Sequence, residues 1–200
     1  MNRCSWCGRD PLYVRYHDEH WGVPVFDDQE LFAQLLLEGA QAGLSWITIL
    51  KKKEGYYRAF DGLNPEIIAQ YKETKIRELL LDSGIVRNRL KIRAAVTNAQ
   101  AYLKLQEEEG SFSRFVWSFV NYKVIIHNLT TSTEAISTSP ESDAMSKELK
   151  KKGFKFVGST ICYAFMQAVG MVNDHVADCF RYEEVKKLQP PRLTSGHRIF

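Results

Sequence analysis

Two sets of side chains in this chain have types and spacings that could carry chemistry, and the first contains a carboxylate on an apolar helix face. Leu31, Leu35 and Glu38 are spaced i, i+4 and i+7. At about 100° per residue, a helix projects all three from nearly the same side. Because burying an unpaired charge costs several kcal/mol, such a glutamate is usually paired, displaced to a helix edge or kept for chemistry.

A polar residue and a large aromatic residue follow this helix pattern. Ser45 and Trp46 stand just past the turn predicted at Ala42 and Gly43. A carboxylate close to an indole favours a pocket for a flat, cationic ligand, because the indole face also attracts cations. The competing interpretation is an edge glutamate that reaches water or a lysine, and these residues alone leave both interpretations open.

The second set comprises thiols and imidazoles. The four cysteines are Cys4, Cys7, Cys162 and Cys179. The first residues show neither an apolar signal core nor an amphipathic transit pattern, so we expect a cytoplasmic protein. Disulfides are rare in a reducing compartment, so we expect these thiols to bind a metal or to be simply buried.

Two cysteines and two histidines offer a full tetrahedral zinc set. His175 and Cys179 are i and i+4, so on a helix they share one face and can close on a single ion. Four residues near the start compete for the other two positions: Cys4, Cys7, His17 and His20. Four protein ligands leave no open position for water, so a zinc here would be structural and would tie both ends of the chain together. Free buried cysteines and surface histidines are the alternative.

The residues around Glu38 predict two helices that meet at a corner. Asp27 is followed by Glu30 in the arrangement of a capping box, so a helix should begin there. Gly43 interrupts the apolar pattern, which then resumes, so the corner falls at residues 41–44 and Leu44 should be exposed on it. The preceding residues, 10–26, contain so many aromatic, proline and glycine residues that we expect an ordered loop.

A second informative stretch, residues 74–93, predicts a helix, a tight turn at Ser83 and Gly84, and another helix. Glycine lets the backbone turn tightly, and the amides at the start of the following helix could bind an anion such as a DNA phosphate. Basic side chains lie on or just after this turn, namely Arg87, Arg89, Lys91 and Arg93. The alternative is an ordinary helix break with a solvated basic face.

The rest of the sequence adds helices and almost no strand pattern. Apolar residues at helical spacing predict helices at 94–109, 112–120, 143–152 and 159–172. Residues 121–142 are expected to be a long loop. We therefore expect an all-α protein of two helical lobes. Residues 1–180 are expected to form a single compact domain, and residues 181–200 a loose tail.

Composition limits the class of protein. Hydrophobic residues make up 44% of the chain and charged residues 26%, which is typical of a soluble globular protein and speaks against disorder or membrane insertion. The net charge of +3 is too small to establish a nucleic-acid partner, so the local placement of lysine and arginine must carry that inference.

Several stretches in one order resemble the DNA-3-methyladenine glycosylase I family, within the helix-hairpin-helix glycosylase superfamily. The resemblance covers roughly residues 1 to 180. It rests on the stretches RCSWCGRDPLYVRYHDEHWGVP, LEGAQAGLSWITILKKKEGYYRAF, DSGIVRNRLKI, FVWSFVN and SDAMSKELKKKGFKFVGSTICYAFMQAVGMVNDH.

The family's functional positions can be matched to residues of this chain. The resemblance implies one structural zinc ion bound by Cys4, His17, His175 and Cys179. It implies a pocket for the damaged base formed by Trp6, Tyr13, Tyr16, Glu38 and Trp46, with Glu38 as the catalytic residue. It implies DNA contacts from the corner and the hairpin, at Gln41, Gly43, Leu44, Ser83, Gly84, Arg87 and Arg89.

The resemblance implies a monofunctional repair enzyme, expected to be a monomer, that acts on double-stranded DNA. Such an enzyme flips out 3-methyladenine and hydrolyses its glycosidic bond, leaving an abasic site. One alternative is a zinc-stapled helix-hairpin-helix module that holds DNA without reacting. Another is a zinc hydrolase, which requires an open coordination position.

Overall fold

The computed structural model describes residues 1–188, and these residues are mostly helical. The helices are α1 (Pro11–Glu19), α2 (Asp28–Gln41), α3 (Trp46–Ala59), α4 (Pro65–Ile68), α5 (Glu73–Leu81), α6 (Arg89–Glu109), α7 (Phe112–Ser118), α8 (Pro140–Lys151), α9 (Ser159–Ala168) and α10 (Phe180–Lys186). Short 3₁₀ helices occupy Ser5–Cys7, Asp61–Leu63 and Ser132–Glu134. The prediction of a helical fold is confirmed. Within residues 1–188, none of the helices has the length and apolar character needed to span a bilayer.

Two very short strands interrupt the helical pattern. β1 (Ile125–Ile126) and β2 (Val172–Asn173) pair in parallel, with Ile125 opposite Val172. This ladder joins the segment predicted as a long loop to the residues after α9. The helix predicted over 159–172 is shorter than expected, because α9 ends at Ala168, the chain turns at Gly170 with φ +73°, and Val172 begins β2.

The prediction of a loop over residues 10–26 is wrong for its first half, because Pro11–Glu19 form α1. The Oδ1 atom of Asp10 accepts a hydrogen bond from the backbone N–H of Leu12 at 3.0 Å, and Pro11 occupies the first helical position. Both features favour a helix start, because the cap satisfies an unpaired amide and proline is preorganised there. These two local features outweigh the aromatic, proline and glycine content from which a loop was predicted.

The loose tail expected from residue 181 is wrong at its start, because α10 extends to Lys186. Tyr182 and Val185 are buried, and Asn173 Nδ2 donates a hydrogen bond to the carbonyl oxygen of Tyr182 at 3.1 Å. Burial of these two side chains holds the helix against β2. The remainder of the predicted tail, residues 189–200, lies outside the described residues.

Helix α2 lies in the main hydrophobic core, where it contacts α3, α6, α7 and α9. It begins where the sequence predicted, because Asp27 Oδ1 accepts from the backbone N–H of Glu30 at 2.9 Å. Leu31 and Leu35 are both buried. Glu38 projects from the same side of α2 and is buried with them, so its carboxylate is held inside the protein.

A second, smaller cluster joins the two ends of the described chain. Its buried members are Cys4, Tyr16, Trp21, Leu50, Val176 and Cys179. The backbone N–H of Phe180 also donates to the carbonyl oxygen of Asn2 at 3.1 Å. The N-terminal segment therefore packs directly against the residues that lead into α10.

Candidate functional site

A pocket of about 340 Å³ lies where α1, α2, α3 and α9 approach one another. Its lining includes all five residues predicted to bind a base, Trp6, Tyr13, Tyr16, Glu38 and Trp46. These residues come from four separate segments of the chain, so only the fold brings them together. Their binding role stays a prediction, and their common location is what the structure establishes.

Aromatic rings form most of one side of the pocket. The rings of Trp6 and Trp21 are 4.8 Å apart and steeply inclined, and those of Tyr16 and Trp46 are 5.5 Å apart. The indole nitrogens of Trp6 and Trp46 are buried without a hydrogen-bond partner among the described residues. A buried donor left unpaired is costly, so a bound ligand or water with an acceptor would be stabilised there.

Glu38 is buried in the pocket, and no cationic side chain among residues 1–188 pairs with it. Only 2% of the surface of Glu38 is exposed, and Gln34 Nε2 donates a hydrogen bond to Glu38 Oε1 at 2.7 Å. Burial raises the pKa of Glu38 to about 8, and the bond from Gln34 opposes this rise. The edge-glutamate interpretation is therefore wrong, because this carboxylate is buried and pairs with no lysine among residues 1–188.

Two tyrosines next to Glu38 remain protonated at neutral pH. Burial is the main cause that raises the pKa of Tyr16, and the charge of Glu38 adds to it. Burial likewise raises the pKa of Tyr13. Both phenols can therefore donate hydrogen bonds to a ligand in the pocket.

A second buried carboxylate lines the pocket and was missed by the sequence analysis. Asp174 Oδ2 accepts hydrogen bonds from Tyr163 Oη and Gln167 Nε2, both at 2.7 Å. Its other oxygen lies 2.6 Å from His127 Nδ1. The adjacent metal-ligand pattern at His175 was the available signal. Tyr163 and Gln167 contact Asp174 from α9, and only His127 comes from a distant segment.

Four donor atoms converge beside the pocket. The ligand atoms of Cys4, His17, His175 and Cys179 all lie within 4.8 Å of one another, and all four residues are buried. Cys179 Sγ is 3.5 Å from His17 Nε2 and 3.6 Å from His175 Nδ1. Hydrogen bonds from Cys4, His17 and His175 lower the pKa of the Cys179 thiol. This cluster could hold a metal ion, and neither Cys7 nor His20 belongs to it.

In this cluster of two cysteines and two histidines, the outward ring nitrogen of each histidine contacts a neighbouring oxygen. His17 Nδ1 lies 2.8 Å from Asp18 Oδ1, and Arg3 in turn pairs with that carboxylate at 2.8 Å. His175 Nε2 lies 3.2 Å from the carbonyl oxygen of Trp21. Such partners fix the ring orientation and tautomer of a metal-binding histidine.

The predicted corner, residues 41–44, lies beside the pocket. Gln41 lines the pocket, whereas Leu44 is 41% exposed. Gly43 has φ +76°, a backbone conformation that favours glycine and makes the turn tight. An apolar side chain therefore projects into solvent next to the pocket.

The hairpin turn, residues 82–88 between α5 and α6, differs in one respect from the prediction. The first amides of α6 are not free for an anion, because Asn88 Oδ1 accepts from the backbone N–H groups of Leu90 and Lys91. Ser83, Arg87 and Arg89 are nevertheless exposed. Their side chains and the outer face of the turn remain accessible to a phosphate.

The hairpin turn packs closely on α3. A Cβ atom added at Gly55 would lie 2.2 Å from the carbonyl oxygen of Gly84, so a side chain at position 55 does not fit against this backbone. Lys52 Nζ also donates to the carbonyl oxygen of Ser83 at 2.7 Å. Helix α3, which begins with Trp46, therefore supports the hairpin turn directly.

The chain is a mostly helical protein with an aromatic, acidic pocket suited to a flat cationic ligand. It belongs to the methyladenine glycosylase family, whose model matches residues 6–182. DNA-3-methyladenine glycosylase 1 of Escherichia coli (strain K12) is 51% identical over 182 residues, which are 91% of this chain and 97% of that protein.

Solved structures support the same assignment. A crystal structure of 3-methyladenine DNA glycosylase I has a TM-score of 0.88 and 50% identity, covering 90% of this chain and 98% of its own. A tyrosine-to-phenylalanine variant of 3-methyladenine DNA glycosylase I, in complex with 3-methyladenine, has a TM-score of 0.88 and 41% identity, with coverage of 91% and 98%.

Proposed function

We infer that this chain is a monofunctional DNA glycosylase that excises 3-methyladenine from DNA during repair. The observation that carries the inference is Glu38, a carboxylate buried in an aromatic pocket with no cationic partner in the described part of the chain. Methylation at N3 makes the purine cationic, so an extruded base would supply the missing positive charge. Family membership and the relative bound to 3-methyladenine support the same substrate.

Some pocket residues stack on the base, and Glu38 interacts with its positive charge. Trp46 and Trp6 replace the stacking that the base loses on leaving the duplex, and a cation–π contact contributes about 0.5 to 2 kcal/mol. Ionised Glu38 attracts the cation and accepts a hydrogen bond from its exocyclic amine. A neutral adenine lacks the charge, so Glu38 would remain protonated and the pocket would favour the methylated base.

Bond cleavage then needs little further assistance. The electrons of the glycosidic bond pass to the positively charged base, which leaves as a neutral molecule. Water adds to the sugar carbon and releases a proton to solvent, which leaves an abasic site. We propose that Glu38 and the DNA phosphates stabilise the positive charge that develops on the sugar.

We propose that the corner and the hairpin hold duplex DNA in a helix-hairpin-helix arrangement. Leu44 projects beside the pocket, where it can fill the gap left by an extruded base, as apolar wedges do in other DNA-distorting proteins. Gln41 and Gly43 place this wedge. Ser83, Gly84, Arg87 and Arg89 present a turn and exposed positive charge to a phosphate.

We propose that Cys4, His17, His175 and Cys179 bind one structural zinc ion. With zinc–sulfur bonds of about 2.3 Å and zinc–nitrogen bonds of about 2.0 to 2.1 Å, tetrahedral ligand atoms lie about 3.6 Å apart. The distances of 3.5 and 3.6 Å from Cys179 Sγ to the histidine nitrogens fit this geometry. Four protein ligands leave no position for a reacting water, which argues against the zinc-hydrolase alternative.

The cellular setting is also a proposal. None of the four cysteines forms a disulfide within the described residues, which is typical of a protein that stays in a reducing cytoplasm. We further propose one compact domain for residues 1–180 and a monomer in solution. Light scattering after size-exclusion chromatography would test the monomer, and a dimer mass would contradict it.

The function is tested by incubating the purified protein with methylated duplex DNA and identifying released bases by chromatography. We expect selective release of 3-methyladenine, strongly reduced in Glu38→Ala and Trp46→Ala and unchanged in Glu107→Gln, an exposed control on α6. A folded, metal-loaded protein that binds the duplex without releasing a base would instead support the non-catalytic DNA-binding module.

A further inference from the structure

Lys91 joins the two surfaces to which we assign DNA contacts, and we propose that it is a positioning residue for the corner. Its Nζ atom donates hydrogen bonds to the carbonyl oxygens of Ala40 at 2.8 Å and Ala42 at 2.5 Å. Lys91 lies on the first turn of α6, just after the hairpin turn, whereas both acceptors lie at the end of α2. This inference rests on the proposed function, because the corner matters only if the protein opens a duplex.

The end of α2 needs a positive charge that its own sequence lacks. The last turn of α2 contains no basic residue. Carbonyl groups at a helix C-terminus have no partner within the helix and carry partial negative charge, so a cation there is stabilising. Lys91 supplies that cation from a different helix, which fixes α2 to the start of α6.

The bond to Ala42 acts directly on the shape of the corner. Ala42 stands between Gln41, which lines the pocket, and Gly43, which makes the tight turn. The backbone N–H of Leu44 donates to the carbonyl oxygen of Gln41 at 2.6 Å. Holding the Ala42 peptide therefore holds the direction in which Leu44 leaves the protein surface.

Lys91 is unlike the other basic residues near the hairpin turn. Arg87 and Arg89 are exposed, but Lys91 is half-buried and its ammonium group is turned inward. Its burial lowers the pKa of Lys91, consistent with a group withdrawn from solvent. With the bond from Lys52 to Ser83, the corner, the hairpin turn and α3 form one linked unit.

The test uses Lys91→Met, which keeps the length of the side chain and removes its charge. Lys104→Met is the matched control, because Lys104 lies on the same helix with an exposed side chain. Two readouts are needed: affinity for undamaged duplex across a salt series, and single-turnover release of 3-methyladenine. The fluorescence of 2-aminopurine placed next to the methylated base reports duplex distortion without depending on the chemistry.

We expect Lys91→Met to leave the affinity for undamaged duplex and its salt dependence within twofold of the wild type. Excision and the 2-aminopurine signal should fall by about tenfold, a loss typical of a coupled contact. Lys91→Arg should restore most of both, and Lys104→Met should match the wild type. A phosphate contact would instead weaken binding to all duplexes and reduce the salt slope by about 1.

A double variant separates positioning from general damage. If Lys91 acts through Leu44, Lys91→Met added to Leu44→Ala should slow excision no further than Leu44→Ala alone. Additive losses, or normal excision and normal distortion by folded Lys91→Met, would overturn the inference. If the wild type releases no base, the proposed function fails, and the 2-aminopurine signal still decides the role of Lys91.

Discussion

Gln34 donates a hydrogen bond from Nε2 to Oε1 of Glu38 across 2.7 Å, between residues one turn apart on α2. It is a neutral donor to a carboxylate whose pKa burial has raised to about 8. Glu38 is therefore largely protonated at neutral pH, and a cation bound beside it would favour its ionised form. The hydrogen bond from Gln34 orients Glu38, and its charge would follow the charge of a bound ligand.

Glu38→Gln should stabilise the protein in a pH-dependent way. The pKa of Glu38 is higher in the folded protein, about 8, than its ordinary 4.5, so the stability it contributes is full below pH 4.5 and is lost as pH rises toward 8. Glutamine has no such loss. The variant should gain about 1.4 kcal/mol of unfolding free energy per pH unit between these values and then level off.

Urea unfolding at several pH values measures this gain, with Glu107→Gln as the exposed control. A stability difference between variant and wild type that does not change with pH would show that the pKa of Glu38 is not raised in the folded protein. Excision by Glu38→Gln should fall strongly at every pH, so the same substitution gains stability and loses activity.

Gln34→Met should shift the pH profile of excision upward. Methionine fills a similar volume but donates no hydrogen bond, so the ionised form of Glu38 loses its one polar partner on α2. A hydrogen bond to a charged group contributes about 1.5 to 3 kcal/mol, so the midpoint of kcat/KM against pH should rise by about one to two units. An unchanged midpoint would mean that Gln34 does not set the ionisation of Glu38.

The sequence predicted those site features that depend on neighbours along the chain. The spacing of Leu31, Leu35 and Glu38 placed the carboxylate on the buried side of α2. The cap at Asp27 and the glycine at position 43 placed the start of α2 and the corner. These are short-range effects, since helix periodicity and backbone φ are set within a few residues.

Features that depend on distant segments could not be found in this way. Tyr163 and Gln167 contact Asp174 from α9, but His127 lies 47 residues away and follows β1, which pairs with β2 just before Asp174. Lys91 was grouped with the basic face of the hairpin because its acceptors on α2 are about fifty residues away. Choosing Cys4 over Cys7 as the metal ligand likewise needed the fold or the family resemblance.

Removing the metal should destabilise the junction of the two chain ends. The four donors come from the first seventeen residues and from residues 175–179, so the ion would cross-link segments far apart in sequence. Structural zinc contributes folding free energy directly, so a chelator should lower the melting temperature by more than about 10 °C. Differential scanning calorimetry with and without chelator measures the shift.

Metal content distinguishes the ligands from their neighbours. Cys4→Ala and Cys179→Ala should lose the zinc measured by atomic emission, whereas Cys7→Ala should retain one ion per chain. Loss of zinc from Cys7→Ala with retention in Cys4→Ala would replace the proposed ligand set.

Asp174→Asn should reduce stability more than chemistry. Asp174 is 4% exposed, and both its oxygens are engaged by neighbouring side chains. The amide group of asparagine would face one of these donors with a second donor. Breaking a buried polar network in this way costs about 2 to 4 kcal/mol of unfolding free energy. Excision at a temperature where the variant is folded should fall less than tenfold. A loss above a thousandfold with normal stability would instead identify Asp174 as a general base.

Gly55→Ala should disturb the hairpin turn without touching the pocket. The new Cβ would lie 2.2 Å from the carbonyl oxygen of Gly84, a distance that forces the hairpin turn away from α3. Alanine favours a helix by about 1 kcal/mol relative to glycine, but overpacking against backbone costs about 1 to 3 kcal/mol, so the net effect should be destabilising. Gly158→Ala, where an added Cβ meets no atom within 4 Å, is the matched control.

The functional loss should follow the position of the clash. Gly84 and the exposed Arg87 lie on the same hairpin turn, and the exposed Arg89 follows it at the start of α6. Duplex affinity of Gly55→Ala should therefore fall several-fold, while binding of free 3-methyladenine, measured by tryptophan fluorescence, stays normal. If base binding fell instead and duplex affinity did not, the hairpin turn would not be the DNA-binding element. Equal losses in both would indicate that α3 transmits the clash to Trp46, and the corner and pocket would then have to be treated as one unit.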